Sequence, residues 1–251
     1  MPEVAVSQPL VEMKQIVKSY GGVRALDGVD FHIRAGEIVA LLGDNGAGKS
    51  TLIKILAVVL RPDSGEICIR GQARRFGNAR DAISAGIETI YQGAALVDQL
   101  SVARNLFLGR EPTMRWLGLL PRIDRQYMHN EARSLLARMG LGADIDPAQR
   151  IVLLSGGQRQ SVAIARAMFF QADLIVLDEP TNNLGVEETR RVLEFIRATR
   201  AAGRSSIFIT HAITHALQVV DRVVVLRRGR VAANLEVADT NLADVEHLIT
   251  D

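Results

Sequence analysis

One cysteine in 251 residues leaves Cys68 without a partner inside the chain. An internal disulfide and a cysteine metal cage are therefore both excluded. Cys68 lies in "GEICIR", which alternates like a strand, so a core or half-core position is expected. So little cysteine fits a reducing compartment. Long apolar runs are also missing: no stretch approaches the roughly 18 residues that a spanning helix needs. The opening "MPEVAVSQPL" has no basic region followed by an apolar run, so no secretory signal is expected. Nor is there an excess of either charge. Thirty basic against 28 acidic residues give a net charge of +2, and nucleic-acid binding needs clustered basic charge. Pairs such as Arg74-Arg75 and Arg227-Arg228 read as solvated surface. These absences leave a cytosolic protein, or one that touches a membrane only through partners.

What is present is an ordinary globular mix, 48% hydrophobic and 23% charged. The length suits one large domain, or one domain with an inserted subdomain. No repeat or low-complexity linker divides the chain. Residues 10 to 40 read as short strands, "LVEMKQIVKSY", "VDFHIRAG" and "EIVALLG", separated by turn residues. A helix is expected from Lys49 to Val59, then a turn and strand in "RPDSGEICIRG". From about 92 to 165 helical patterns dominate. Met128, Ala132, Leu135, Leu136 and Met139 fall on one helical face. Strands and helices then alternate: "DLIVLD", a helix stopped by Gly203, "SSIFIT", "AITHALQVV", and a hairpin turning at Arg228-Gly229. Apolar strands between helices imply a parallel sheet covered on both faces. The expected fold is an α/β core with a helical insertion in its middle.

"GDNGAGKST", Gly43 to Thr51, fulfils G-x-x-x-x-G-K-[ST] at Gly43, Gly48, Lys49 and Ser50. A strand precedes it and a helix follows. Its stretch Asp44-Asn45-Gly46-Ala47 can turn backbone N–H groups inward around phosphate oxygens. The helix N-terminus adds partial positive charge. Lys49 reaches the β- and γ-phosphates, and Ser50 offers a hydroxyl to Mg²⁺. The match points to a nucleoside triphosphate and leaves its use open. A P-loop protein also needs a metal-holding acid at the end of a neighbouring strand. "LIVLDEPT" provides Asp178 for that task and Glu179 to orient or deprotonate water.

"LLSGGQRQSVAIARAM", Leu153 to Met168, opens an amphipathic helix with a serine and two glycines. Alone it would be a helix cap. Together with the P-loop and "LDEPT" it resembles the signature of the ATP-binding cassette, and the chain resembles the nucleotide-binding subunit of an ABC transporter over about residues 10 to 235. The resemblance implies a P-loop NTPase core with a mostly parallel sheet, an antiparallel β subdomain and an inserted helical subdomain. Its expected boundaries are 1–91 and 166–235 for the core, 92–165 for the helical subdomain and 236–251 for a tail. It implies that Tyr20, 23 residues before Gly43, stacks on adenine. It gives Gln92 a contact with Mg²⁺ or water and a link to the membrane subunits. It makes Glu179 the catalytic carboxylate and His211 the contact to the γ-phosphate. Ser155, Gly156, Gly157 and Gln158 close over ATP bound to a second subunit, so a homodimer sandwiching two ATP molecules is expected.

Three ABC classes compete. Chromosome-maintenance ATPases place a long coiled coil between P-loop and metal acid, whereas Lys49 and Asp178 lie only 129 residues apart here. Translation-factor ATPases carry two cassettes, and one is visible. A transporter subunit with separate membrane permeases is left, on the cytoplasmic face of a bacterial inner membrane, with no nucleic-acid partner. "GDNGAGKST", "GIETIYQ" and "SVARNLFLGRE" resemble cassettes of ribose-, xylose- and fructose-type importers. A periplasmic binding protein and the permease choose the sugar in such systems. An amino-acid or other small-solute importer is the rival reading. In the family the loop after "LDEPT" ends in leucine-aspartate, an acid that helps couple the two ATP sites. This chain has Leu184-Gly185, so either communication between the two sites is altered or Asn182 and Asn183 serve in its place.

Overall fold

The computed structural model describes residues 8–91, 96–116, 120–139, 141–142, 144–170, 172–182 and 184–250. In chain order the strands and helices are β1 (Val11–Tyr20), β2 (Val23–Ile33), β3 (Ile38–Leu42), α1 (Lys49–Leu56), β4 (Ser64–Ile69), β5 (Gln72–Ala73), α2 (Ala79–Ser84) and β6 (Ile87–Ile90). They continue with α3 (Val102–Leu106), β7 (Thr113–Trp116), β8 (Leu120–Ile123), α4 (Arg125–Arg138), α5 (Gly156–Phe169), β9 (Leu174–Asp178) and α6 (Val186–Ala201). Last come β10 (Ser205–Ile209), α7 (Ile213–Leu217), β11 (Arg222–Arg227), β12 (Arg230–Glu236) and α8 (Leu242–Thr250).

The chain forms two compact units. The first comprises residues 1–91, 172–182 and 189–251. It holds a six-stranded sheet in the order β12-β11-β3-β10-β9-β6, parallel except for β12. Its central strands are mostly apolar because neighbours cover both edges and both faces are packed; the buried exceptions include Ser205 and Ser206 of β10 and Arg222 of β11. All five residues of β3 and of β10 are buried. Edge strand β12 instead alternates exposed and half-buried positions. A second, antiparallel sheet runs β2-β1-β4-β5. Met13, Ile16 and Leu26 of that sheet share one core with Val39 and Leu41 of β3, Leu52 and Ile53 of α1, and Val176 of β9. Cys68 is buried there as a free thiol.

The second unit comprises residues 92–171 and 183–188. Its core gathers Val102 and Leu106 of α3, Met128, Ala132, Leu135 and Leu136 of α4, and Val162 and Ala165 of α5, with Met139 packed against it. The helical face read from the sequence is therefore the buried face. Asn105, fully buried, ties the turn before α3 together. Its Oδ1 accepts the Val97 N–H at 2.7 Å, and its Nδ2 donates to the Val97 and Ser101 carbonyls at 3.1 and 3.0 Å.

Three elements depart from the sequence reading. The helical middle contains a hairpin, β7–β8, in which Thr113 pairs with Ile123. Pro112 and Pro121 bar helix there, and the Pro112 carbonyl accepts the Asp124 N–H at 2.9 Å. Helix α2 was unread because it is short, although Asn78 and Asp81 form a capping box at its start. The segment from 236 on contains α8, which packs on α7 and β11 and buries Val245.

Candidate active site

The parallel strands of the first unit deliver the candidate site residues to one edge, the carboxyl ends, where open α/β sheets bind ligands. β3 runs into the P-loop, β9 ends at Asp178, and β10 leads to His211. β9 is not next to β3: β10 lies between them. Asp178 therefore stands about 10 Å, two strand spacings, across from the end of β3, a gap that a lysine on the first turn of α1 can lean into. Tyr20, at the end of β1, is half exposed, at 49%.

The P-loop is shaped by close backbone approach. Gly43 has φ +140°, and a Cβ on it would lie 2.1 Å from the Leu226 carbonyl oxygen of β11. Only glycine fits, because both the angle and the space exclude a side chain. The β11–β12 hairpin braces the loop from the same side. Gly229 donates its N–H to the Ala47 carbonyl at 2.9 Å and accepts the Asp27 N–H at 2.8 Å. Arg228 and Gly229 both have positive φ, 47° and 76°, as a tight primed hairpin turn requires. Ala47 is buried, whereas Asp44, Asn45, Gly46 and Ser50 are exposed and Gly48 and Thr51 are half-buried. Lys49 Nζ donates to the Gly43 and Asp44 carbonyls, at 2.5 and 3.0 Å. Burial pushes its ammonium below the ordinary lysine range, against the pull of Glu179, Asp44 and Asp178.

The two acids sit in contrasting surroundings. Burial, reinforced by the Glu179 charge, pushes the Asp178 carboxyl up, while Lys49 and Lys54 oppose this. Glu179 has a left-handed backbone, φ 51°. Its N–H is held by the Ile209 carbonyl at 2.9 Å. Its Oε1 meets His211 Nδ1 at 3.0 Å, and its Oε2 is buried with no hydrogen-bond partner. His211 is itself well exposed, at 68% of its side chain. Tyr91, at the end of β6, also holds a buried, unpartnered hydroxyl, and burial and the Asp178 charge raise its pKa. Sequence reasoning passed over Tyr91; its place at the end of a buried strand was the available signal. Gln92 lies outside the described residues.

In the second unit, Ser155, Gly156, Gly157 and Gln158 open α5. Ser155 Oγ accepts the Gln158 N–H at 3.2 Å, and Gln158 Oε1 accepts the Ser155 N–H at 2.9 Å. This reciprocal cap satisfies two otherwise orphan donors. The exposed side chains of Val152 and Leu153 precede it. Asn182 donates its N–H to the Glu179 carbonyl at 3.2 Å, and Asn183 lies outside the described residues.

The family model described as ABC transporter matches residues 26–182. The chain belongs to the ABC transporter family. It is 42% identical over 241 residues to the xylose/arabinose import ATP-binding protein XylG of Sulfolobus acidocaldarius, covering 96% of this chain and 94% of that one. It is 42% identical to the fructose import ATP-binding protein FrcA of Rhizobium meliloti, covering 97% and 94%. It also matches the ribose import ATP-binding protein RbsA 1 of Rubrobacter xylanophilus at 43%, but spans only 44% of that longer chain. Among solved structures, a nucleotide-free ATP-binding cassette superimposes with a TM-score of 0.81 at 23% identity, covering 97% of this chain and 96% of that one. A dimeric cassette in a post-hydrolysis state, bound to ADP and Pi, superimposes with a TM-score of 0.77 at 25% identity, covering 90% and 98%. The fold is thus that of the ATPase cassette of an ABC transporter, with the P-loop core, antiparallel sheet and helical unit described above.

Proposed function

We propose that this ABC ATPase powers import of a monosaccharide through separate transmembrane permease subunits. The import names of its full-length relatives support the sugar. Among the described residues no helix is long and apolar enough to cross a membrane, which is consistent with a pore built from other chains. Attachment on the cytoplasmic face and a periplasmic sugar-binding protein belong to the same reading. The chain is read as one cassette, with 92–165 as its helical lever.

The observation that carries the catalytic assignment is the Glu179 carboxylate. One oxygen is held by His211 and the other is buried and unpartnered. A buried acceptor without a donor costs free energy, and a water placed against it would satisfy it. Glu179 then takes that water's proton as the γ-phosphate is attacked. His211, paired to Oε1, keeps the carboxylate oriented and lies ready to contact the same phosphate. On binding ATP, Lys49 exchanges its loop carbonyls for phosphate oxygens. The loop from Gly43 to Thr51 donates its N–H groups to the phosphates, and Tyr20 stacks on the base.

The oxygen donors Asp178 and Ser50, with Gln92, suit a hard divalent cation such as Mg²⁺. Two acids crowded together, one with its carboxyl pushed up by burial and its neighbour's charge, are the setting that such a cation relieves. When bound it would neutralise phosphate charge. Ser155 to Gln158 of a second copy close over the nucleotide, giving a two-fold pair with two ATP molecules.

Glu179→Gln should keep ATP binding, trap the closed pair and abolish turnover. Undiminished hydrolysis by that variant would refute the assignment of Glu179. Uptake of radiolabelled monosaccharides in a deletion strain tests the cargo; unimpaired sugar uptake together with lost uptake of an amino acid would favour the rival solute.

A further inference from the structure

Glu188 is the third residue of α6, and its carboxylate straddles two glycines of the second unit. A Cβ on Gly157 would lie 2.7 Å from Glu188 Cγ and 3.2 Å from its Oε1. A Cβ on Gly185 would lie 2.6 Å from Glu188 Oε2. One oxygen therefore covers the second residue of the signature helix, and the other covers the residue just before α6. The side chain occupies space that any larger residue at 157 or 185 would contest. An aspartate at 185 would require the Glu188 carboxylate to swing to another rotamer.

We propose that Glu188 is a further residue of the signature site, a resident negative charge that sets how strongly the signature turn accepts the nucleotide of a second copy. The proposal rests on the ATP-sandwich reading above. The start of α5 carries partial positive charge, the feature that would attract a γ-phosphate. In this structure a carboxylate already lies against that first turn. An incoming phosphate meets both the attraction of the helix and the repulsion of Glu188. Pairing is thereby weakened, which favours reopening after hydrolysis.

A purely structural role for Glu188 is helix capping, because it occupies the third helical position, where Glu and Gln both serve as acceptors. Glu188→Gln separates the two roles, since it keeps the acceptor and removes the charge. The experiment is ATP-driven pairing of the whole chain, measured by sedimentation in the Glu179→Gln background. Glu188→Gln should lower the ATP concentration at half-pairing by about three- to tenfold, with the thermal midpoint unchanged. Glu188→Lys should lower it further, and added salt should narrow both differences. Half-pairing at an unchanged or higher ATP concentration in both variants overturns the proposal while leaving the sandwich intact. If Glu179→Gln stays monomeric at saturating ATP, the sandwich reading fails and the proposal falls with it.

Discussion

Glu37 and Arg222 form a buried ion pair beneath the P-loop strand, and removing one partner should unfold much of what positions that loop. Glu37 immediately precedes β3, and Arg222 begins β11. Their side chains are only 5% and 4% exposed. Arg222 Nε donates to Glu37 Oε1 at 2.7 Å, and its Nη2 reaches Oε2 at 3.2 Å. Two further guanidinium donors go to Asn234 Oδ1 at 2.8 Å and to the His32 carbonyl at 2.7 Å. Glu37 also accepts from the Arg34 side chain at 2.8 Å and from the Arg34 N–H at 2.7 Å. Glu37→Gln leaves the Arg222 charge buried without its counterion, which costs about 3–5 kcal/mol. That is a large part of the roughly 5–15 kcal/mol that holds a domain together. Guanidinium denaturation followed by circular dichroism should show the loss. Arg222→Met added to Glu37→Gln should recover much of it, because no charge is then buried.

The same pair predicts an acid response. Against the cost of burial, the Arg222 and Arg34 hydrogen bonds hold the Glu37 carboxyl at about 2, below its ordinary 4.5. A depressed carboxyl contributes stability above its unfolded pKa and loses it as pH falls through the folded one. The loss should therefore appear between about pH 4.5 and 2. It should amount to about 2–3 kcal/mol after screening by the exposed Arg34 is allowed for. A single variant costing under about 1 kcal/mol, or an acid limb unchanged in Glu37→Gln, would refute the reasoning.

Gly43→Ala should abolish nucleotide binding in a fluorescent-ATP titration, because its Cβ has no room against the Leu226 carbonyl; wild-type affinity would show that β11 yields. Asn105→Ala should destabilise the helical unit by about 1–3 kcal/mol, since it removes a fully buried side chain that bonds several part-buried backbone groups; a thermal shift within error would count against this. Tyr20→Ala should weaken ATP binding several-fold and leave binding of inorganic triphosphate unchanged, as expected if the ring contacts only the base.

The helical unit was legible where periodicity was strong. Met128, Ala132, Leu135 and Leu136 read as one face because a helix turns every 3.6 residues. The β7–β8 hairpin was not legible, since four-residue strands carry too little pattern to outweigh the helices around them. The proposed nucleotide site could be listed from the sequence as residue types, because phosphate and metal chemistry demand glycines, a lysine and acids at set spacings.

Only the folded chain decided how those residues meet. That β10 separates the P-loop strand from Asp178, and that Gly229 of a distant hairpin braces Ala47, are matters of tertiary arrangement, which local sequence does not encode. The glycine at 185 read as a missing acid. Tertiary packing made it a space that Glu188 fills, because a side chain's neighbours across the fold, and not its neighbours along the chain, decide what its charge acts upon.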